Sequence, residues 1–220
     1  MRSRRFVPMS DTIEQALHIE ERQIAAVRAA VSDLAARDPQ PRQERLSGIH
    51  NPWGFAATMT NAWAFLDLCE NNAVVGKVAA LIGPDVILWD SELYLGAAHY
   101  LEFVAAGREG RYWPAAPLAG AVALVTFAEK AAFRFADIHS LSAQDLACSQ
   151  ENAPLYVIRY MPAASRFIRD PKAPANWIAM EEQPLINYAT RPLWLVSGED
   201  RAGNDFVTGF SSQAPRWAAR

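Results

Sequence analysis

The sequence predicts an α+β fold, in which helices come first and short strands follow as an antiparallel sandwich or barrel. The chain has 220 residues, the size of one large domain. Apolar residues make up 51% and charged residues 20%, which supports a substantial buried core. Helical spacing of apolar residues dominates up to Gly83, and short strand-like runs dominate afterwards. We therefore predict a single domain, 1–220, with a mainly helical part, 1–83, and a strand-rich part, 84–220.

The first predicted helix lies between residues 13 and 34. Asp11, with Glu14 three residues later, fits a capping box at its start. Apolar residues then recur at helical spacing, and the pattern ends before the polar run at 37–41. This run indicates a turn and not the start of a second domain.

A second and a third predicted helix follow the motif Pro52-Trp53-Gly54. Thr60 or Asn61 could cap the second helix, and Asn71-Asn72 interrupts the apolar pattern. The third helix continues until Gly83-Pro84, a pair that ends helices.

The predicted strands after Gly83 are short runs rich in β-branched and aromatic residues. They lie at 86–89 and 93–95, 121–127, 133–138, 155–160, 193–196 and 206–210.

The charge and the apolar runs exclude several classes of partner. The formal net charge is −3 and the isoelectric point is near 5.8, so we expect no nucleic-acid partner. The longest apolar runs, such as 119–127, are too short to span a bilayer, and we expect no membrane partner. The basic N-terminus lacks an apolar stretch behind it, and Cys69 and Cys148 form no disulfide framework. These features predict a cytoplasmic protein.

The common catalytic motifs are absent from the sequence. It contains no glycine-rich phosphate loop, Gly-x-Ser-x-Gly, His-Glu-x-x-His or Cys-x-x-Cys motif. The four histidines, His18, His50, His99 and His139, are far apart along the chain. His139 is the strongest candidate, because it follows a predicted strand and ligands gather at strand ends around a barrel mouth.

Three segments together resemble the phytanoyl-CoA dioxygenase family of Fe(II)/2-oxoglutarate oxygenases. They are Leu81-Ile82-Gly83-Pro84-Asp85-Val86-Ile87-Leu88-Trp89-Asp90-Ser91-Glu92-Leu93-Tyr94, Tyr112-Trp113-Pro114, and Tyr156-Val157-Ile158-Arg159-Tyr160-Met161-Pro162-Ala163-Ala164-Ser165-Arg166-Phe167. The similarity covers most of 57–210. It implies a double-stranded β-helix (a cupin-like jelly roll) with the N-terminal helices packed outside.

The resemblance also implies an iron site, from which this sequence departs. The family holds iron with a His-x-Asp pair and a distal His, and an arginine binds 2-oxoglutarate. The pair falls here on Gly107-Arg108-Glu109, the distal histidine corresponds to His139, and the position of the arginine falls near Ala153. The stretch from Pro114 to His139 is also short, which predicts that one or two strands are missing.

We therefore predict a family-like protein whose metal and 2-oxoglutarate sites are lost or remodelled, without ordinary dioxygenase activity and with no catalytic residue assigned. If a metal binds, Glu109 and His139 are its candidate ligands. Fe(II) and 2-oxoglutarate would be cofactors only if the family chemistry is retained. Trp113, His99 and Arg159 are candidate pocket residues.

Other interpretations remain open at this point. One is an active non-haem iron oxygenase of a small organic acid or its thioester, using a remodelled Glu109/His139 site with His99 as a further candidate. A second is a non-catalytic jelly roll that binds such an acid. A third is a homo-oligomeric interaction protein whose interface covers an opened sheet edge. The structural alternatives place Glu109 in a solvated turn and Trp113 in the core, and they make Arg159 a strand residue that snorkels or pairs at the barrel edge.

Overall fold

The computed structural model describes residues 17, 19–37, 45–53, 61–95, 113–127, 130–141, 154–176 and 191–206. Within these ranges, none of the helices combines the length and apolar character needed to cross a bilayer.

Three helices form one layer of the fold: α1 (Glu21–Arg37), α2 (Ala64–Cys69) and α3 (Asn72–Ile82). The side chain of Asn71 accepts a hydrogen bond from the backbone N–H of Ala73 and so caps α3. Gly83 ends this helix with a φ of 96°, a left-handed conformation that favours glycine. The predicted interruption at 71–72 and the predicted end at Gly83 are therefore confirmed.

The first helix begins later than the sequence predicts. Leu17, Ile19 and Glu20 are not helical, so this part of the prediction is wrong. The backbone N–H of Ile19 bonds to the carbonyl of Leu17, and the carbonyl of Glu20 accepts the first bonds of α1. The apolar side chains of Leu17 and Ile19 still pack on the core without being part of the helix. Asp11 and Glu14 lie outside the described residues.

Six strands form one antiparallel sheet. They are β1 (Arg45–Ser47), β2 (Val86–Tyr94), β4 (Ala121–Phe127), β5 (Ala131–Asp137), β6 (Leu155–Pro162) and β8 (Trp194–Ser197). The order is β1-β2-β6-β4-β5, and β8 also pairs with β2. A second, two-stranded sheet joins β3 (Ala115–Ala116) to β7 (Arg166–Phe167). Helices followed by antiparallel strands are thus confirmed, whereas β1, β3 and β7 were not predicted.

The large sheet is buried on both faces. One face, called the helix face here, packs Leu88, Tyr156 and other apolar residues against the helices. The other, called the opposite face, packs Trp89 and Val157 against the small sheet through Ala115 and Phe167. Both faces are apolar because helices cover one and the second sheet covers the other.

A β-bulge in β2 changes which residues point to the opposite face. Leu88 pairs with Tyr160 and Asp90 pairs with Arg159, so Trp89 is an extra residue in the ladder. Without the bulge, Trp89 and Asp90 would point to different faces. With it, Trp89, Asp90 and Glu92 all reach the opposite face, where Arg159 lies.

Candidate functional site

Four charged side chains are buried together on the opposite face, and we call them the charge network. Asp90 and Glu92 come from β2, Arg159 comes from β6, and Arg191 precedes β8. Each of the four is at most 6% exposed. Burial of this kind is tolerated only when opposite charges are paired and hydrogen-bonded.

The two arginines and the two carboxylates contact one another in the order Arg191, Asp90, Arg159, Glu92. Arg159 donates from Nη1 to Asp90 Oδ2, and from Nη2 to Glu92 Oε2 at 2.5 Å. Arg191 forms an ion pair through Nη1 with Asp90 Oδ1. Asp90 therefore bridges the two guanidinium groups, and the four formal charges sum to zero.

Neutral donors complete the coordination of Glu92. The hydroxyl of Tyr94 donates to Oε2 at 2.5 Å, and the hydroxyl of Ser47 donates to Oε1 at 2.7 Å. Both oxygens of this buried carboxylate are satisfied, as expected for a group removed from water. Ser47 lies on β1, so the network also ties this short strand to the sheet.

Aromatic rings enclose the network. The Cζ atoms of Arg159 and Arg191 each lie 5.7 Å from the ring centroid of Trp89. The Trp89 ring meets Trp113 edge-on at 5.0 Å and lies 6.0 Å from Phe167. These contacts place the charges in an apolar setting, which strengthens their attraction.

The electrostatic balance keeps Arg159 charged. Burial alone would lower the pKa of its guanidinium, but the carboxylates of Glu92 and Asp90 outweigh that effect and raise it. Arg159 therefore contributes a fixed positive charge to the network.

The structure describes three of the residues that the sequence singled out, Arg159, Trp113 and His139. Arg159 is a paired strand residue, as the structural alternative expected, but it is buried in β6, the third strand of the five-strand path, and not at an edge of the sheet. Trp113 is 3% exposed, and its Nε1 donates to the carbonyl of Ala119 at 3.1 Å. These two residues are brought together through Trp89. Glu109 and His99 lie outside the described residues.

His139 lies away from the charge network, in an exposed turn after β5. Its backbone N–H donates to Asp137 Oδ1 at 2.7 Å. In the part of the chain that the structure describes, no three His, Cys, Asp or Glu side chains are grouped as metal ligands would be.

A second group of buried polar side chains lies on the helix face and was not predicted from the sequence. The Nδ1 of His50 is 2.9 Å from the hydroxyl of Ser91, and the imidazole meets the Trp194 ring edge-on at 4.9 Å. Further along, the Tyr156 hydroxyl is 3.0 Å from the Cys69 sulfur. Burial, followed by the charge of Arg191, lowers the pKa of His50 to about 3, and burial first of all raises the pKa of Tyr156.

The comparisons with known proteins give little beyond the geometry. No protein-family model matches the chain, and no curated protein matches it. One solved structure that is similar, described as CytC3, has a TM-score of 0.42 and 13% sequence identity. The match covers 87% of this chain and 85% of CytC3.

Proposed function

We propose that this chain is a phytanoyl-CoA-dioxygenase-like protein with a double-stranded β-helix, whose metal and 2-oxoglutarate sites are lost or remodelled and which lacks ordinary dioxygenase activity. The jelly-roll part of this proposal is supported by the small β3–β7 sheet, which packs on the opposite face of the large sheet. The loss of 2-oxoglutarate chemistry is supported by the sequence Asn152-Ala153-Pro154, which has no arginine where the family resemblance places one. It is also supported by the contacts of Arg159, the pocket candidate nearest to that position in the sequence.

An arginine that clamps a dicarboxylate presents two parallel N–H groups to it. In this chain the guanidinium of Arg159 already directs Nη1 to Asp90 and Nη2 to Glu92. A carboxylate ligand could take either place only by breaking a buried ion pair: Asp90 would keep Arg191 alone, and Glu92 would lose the charge of Arg159. Breaking a buried pair in this way costs about 3–5 kcal/mol, which opposes binding of the co-substrate.

Metal analysis and a turnover assay test the proposal. The protein is purified anaerobically with Fe(II), its iron is measured, and conversion of 2-oxoglutarate to succinate is followed. We expect no stoichiometric iron, no succinate above the no-protein control, and no rise in the thermal midpoint when both are added, because a ligand that binds the native state would raise it.

The variant His139→Ala distinguishes the alternative of a remodelled iron site at Glu109 and His139. Stoichiometric iron that is lost in this variant, together with succinate production by the unmodified protein, would contradict the proposal and support an active oxygenase. Equal, sub-stoichiometric iron in both proteins would support it.

A further inference from the structure

The two edges of the large sheet differ. At one edge, β2 is covered by two short strands, β1 over Glu92–Tyr94 and β8 over Val86–Leu88. At the other edge, β5 pairs with β4 through seven consecutive residue pairs without a bulge. Among the described residues, no further strand lies beyond β5.

The hydrogen bonds show which backbone groups of β5 point outward. The N–H of Ile138 donates to the carbonyl of Gly120, so these two residues form a hydrogen-bonded pair that continues the β4–β5 register. Hydrogen-bonded and non-hydrogen-bonded pairs alternate in an antiparallel ladder. Ala132, Arg134 and Ala136 therefore bond to β4, and the N–H and C=O groups of the alternate residues, Ala131, Phe133, Phe135 and Asp137, face away from the sheet.

This edge carries two charged residues, Arg134 and Asp137, but lacks several other features that usually prevent strands from pairing. The sequence AAFRFAD contains no proline, glycine or lysine, and its regular register shows no bulge that would twist the edge away. Its phenylalanines, Phe133 and Phe135, pack towards the helix face and do not obstruct the edge. A regular antiparallel edge of this kind is complementary to another strand, and a second copy supplies an identical one.

We propose that β5 is a dimerisation edge, at which two copies of this chain pair their β5 strands antiparallel about a two-fold axis and form one continuous sheet. The register centred on Phe133 fits best. It places Arg134 opposite Ala132 of the second copy, whereas a centre at Arg134 would oppose two like charges. A centre at Phe135 would instead set the carboxylate of Asp137 opposite the Phe133 ring.

Sedimentation velocity and residue-resolved amide exchange on the full chain test this proposal. We expect a dimer of twice the 24.3 kDa chain mass. In the dimer, the amides of Phe133 and Phe135 should exchange at least about tenfold more slowly than in the diluted monomer. The amides of Ala132 and Arg134, which bond to β4 in either state, are the internal control and should be protected in both.

Two substitutions at one position separate the hydrogen-bond ladder from general stability. Ala131→Pro removes an outward N–H that β4 does not use, at the first position of the strand, where proline is tolerated. It should raise the dimer dissociation constant roughly tenfold, because symmetry removes the bond twice. Ala131→Val keeps the N–H and should leave the constant within about twofold.

Three outcomes would overturn the proposal. One is a protein that stays monomeric at all concentrations. Another is a dimer in which the amides of Phe133 and Phe135 exchange freely, since a different surface would then hold it. The third is full protection of these two amides in the monomer, which would mean that another part of the same chain covers β5. None of these outcomes depends on the iron or succinate measurements above.

Discussion

At the residue scale, the main feature is that four charged side chains are buried in the core and paired with one another. Asp90 and Glu92 stand two apart in β2, so they share a face, and Arg159 stands opposite Asp90 in the register. This placement pairs both carboxylates with Arg159, so the buried charges are compensated only while the network is complete. Removing one member leaves a net charge in an apolar setting.

Replacing Arg159 by methionine tests this account. The change leaves two buried carboxylates without their shared partner, so we expect a loss of about 3–5 kcal/mol in the free energy of unfolding, measured by urea denaturation. Arg166→Met is the matched control, because Arg166 is exposed in β7, and it should change stability by less than about 0.5 kcal/mol. Adding Glu92→Gln to Arg159→Met should restore part of the loss. Equal stability of the two single variants would contradict the account.

The lowered pKa of His50 predicts that the stability of the protein falls as the pH is lowered. Its pKa is lowered from 6.5 to about 3 in the folded protein, so the folded state binds a proton less readily than the unfolded state. Its contribution to stability is complete above about pH 6.5 and falls as the pH drops from 6.5 towards 3. Between pH 6.5 and pH 5 this contribution should decrease by roughly 1.5 kcal/mol.

The variant His50→Asn isolates that contribution. Asparagine does not titrate, and it can still hydrogen-bond to Ser91, so its stability should fall less over the same pH interval. The measurement is the free energy of unfolding of both proteins at pH 6.5 and pH 5. Parallel pH profiles would show that His50 is not the group responsible.

At the element scale, the position of β2 organises the fold. This strand carries the bulge and two members of the charge network, and it pairs with β6 on one side and with both β1 and β8 on the other. Ion pairs hold β8 through residues before and after it in the sequence. Arg191 binds Asp90 within the core, and Arg201 binds Asp85, which precedes β2, near the surface. The segments 45–50 and 191–201 meet where His50 contacts Trp194.

Replacement by alanine should have opposite effects on stability at two glycines, Gly120 and Gly76. A Cβ at Gly120, just before β4, would lie 2.2 Å from Cζ2 of Trp113, so Gly120→Ala must displace the ring that packs on Trp89. We expect a loss of about 1–3 kcal/mol. Gly76 lies inside α3 with open space around it, and Gly76→Ala should add about 0.5–1 kcal/mol. Thermal and urea unfolding measure both, and a stabilised Gly120→Ala protein would contradict the tight contact.

At the scale of the whole molecule, the helices and the large sheet share one core. The apolar cluster on the helix face contains residues of α1, α2 and α3 together with residues of β2, β4, β5 and β6. The opposite face joins the same strands to the small sheet. Neither the helical nor the strand-rich part buries its apolar surface without the other.

A single cooperative unfolding transition is therefore expected. Far-ultraviolet circular dichroism follows the helices, and the fluorescence of the seven tryptophans, which include Trp89 and Trp113 between the sheets, follows tertiary packing. The two signals should give the same midpoint in urea, because the parts depend on each other. Separate midpoints would indicate that 1–83 and 84–220 are distinct units.

The sequence alone determined the α+β class, the ends of α3 and the positions of β2, β4, β5 and β6, because periodicity, caps and strand composition are local properties. The sequence also contained an indication of the charge network that the predictions did not use. Asp90, Glu92 and Arg159 interrupt runs that are otherwise apolar, and acids two apart in a buried strand require a partner. Only the tertiary structure decided which partner each acid has, since that depends on the β2–β6 register and on the bulge at Trp89. Likewise, β1 has only three residues, which the sequence did not predict as a strand, and it forms because it pairs with the edge of β2.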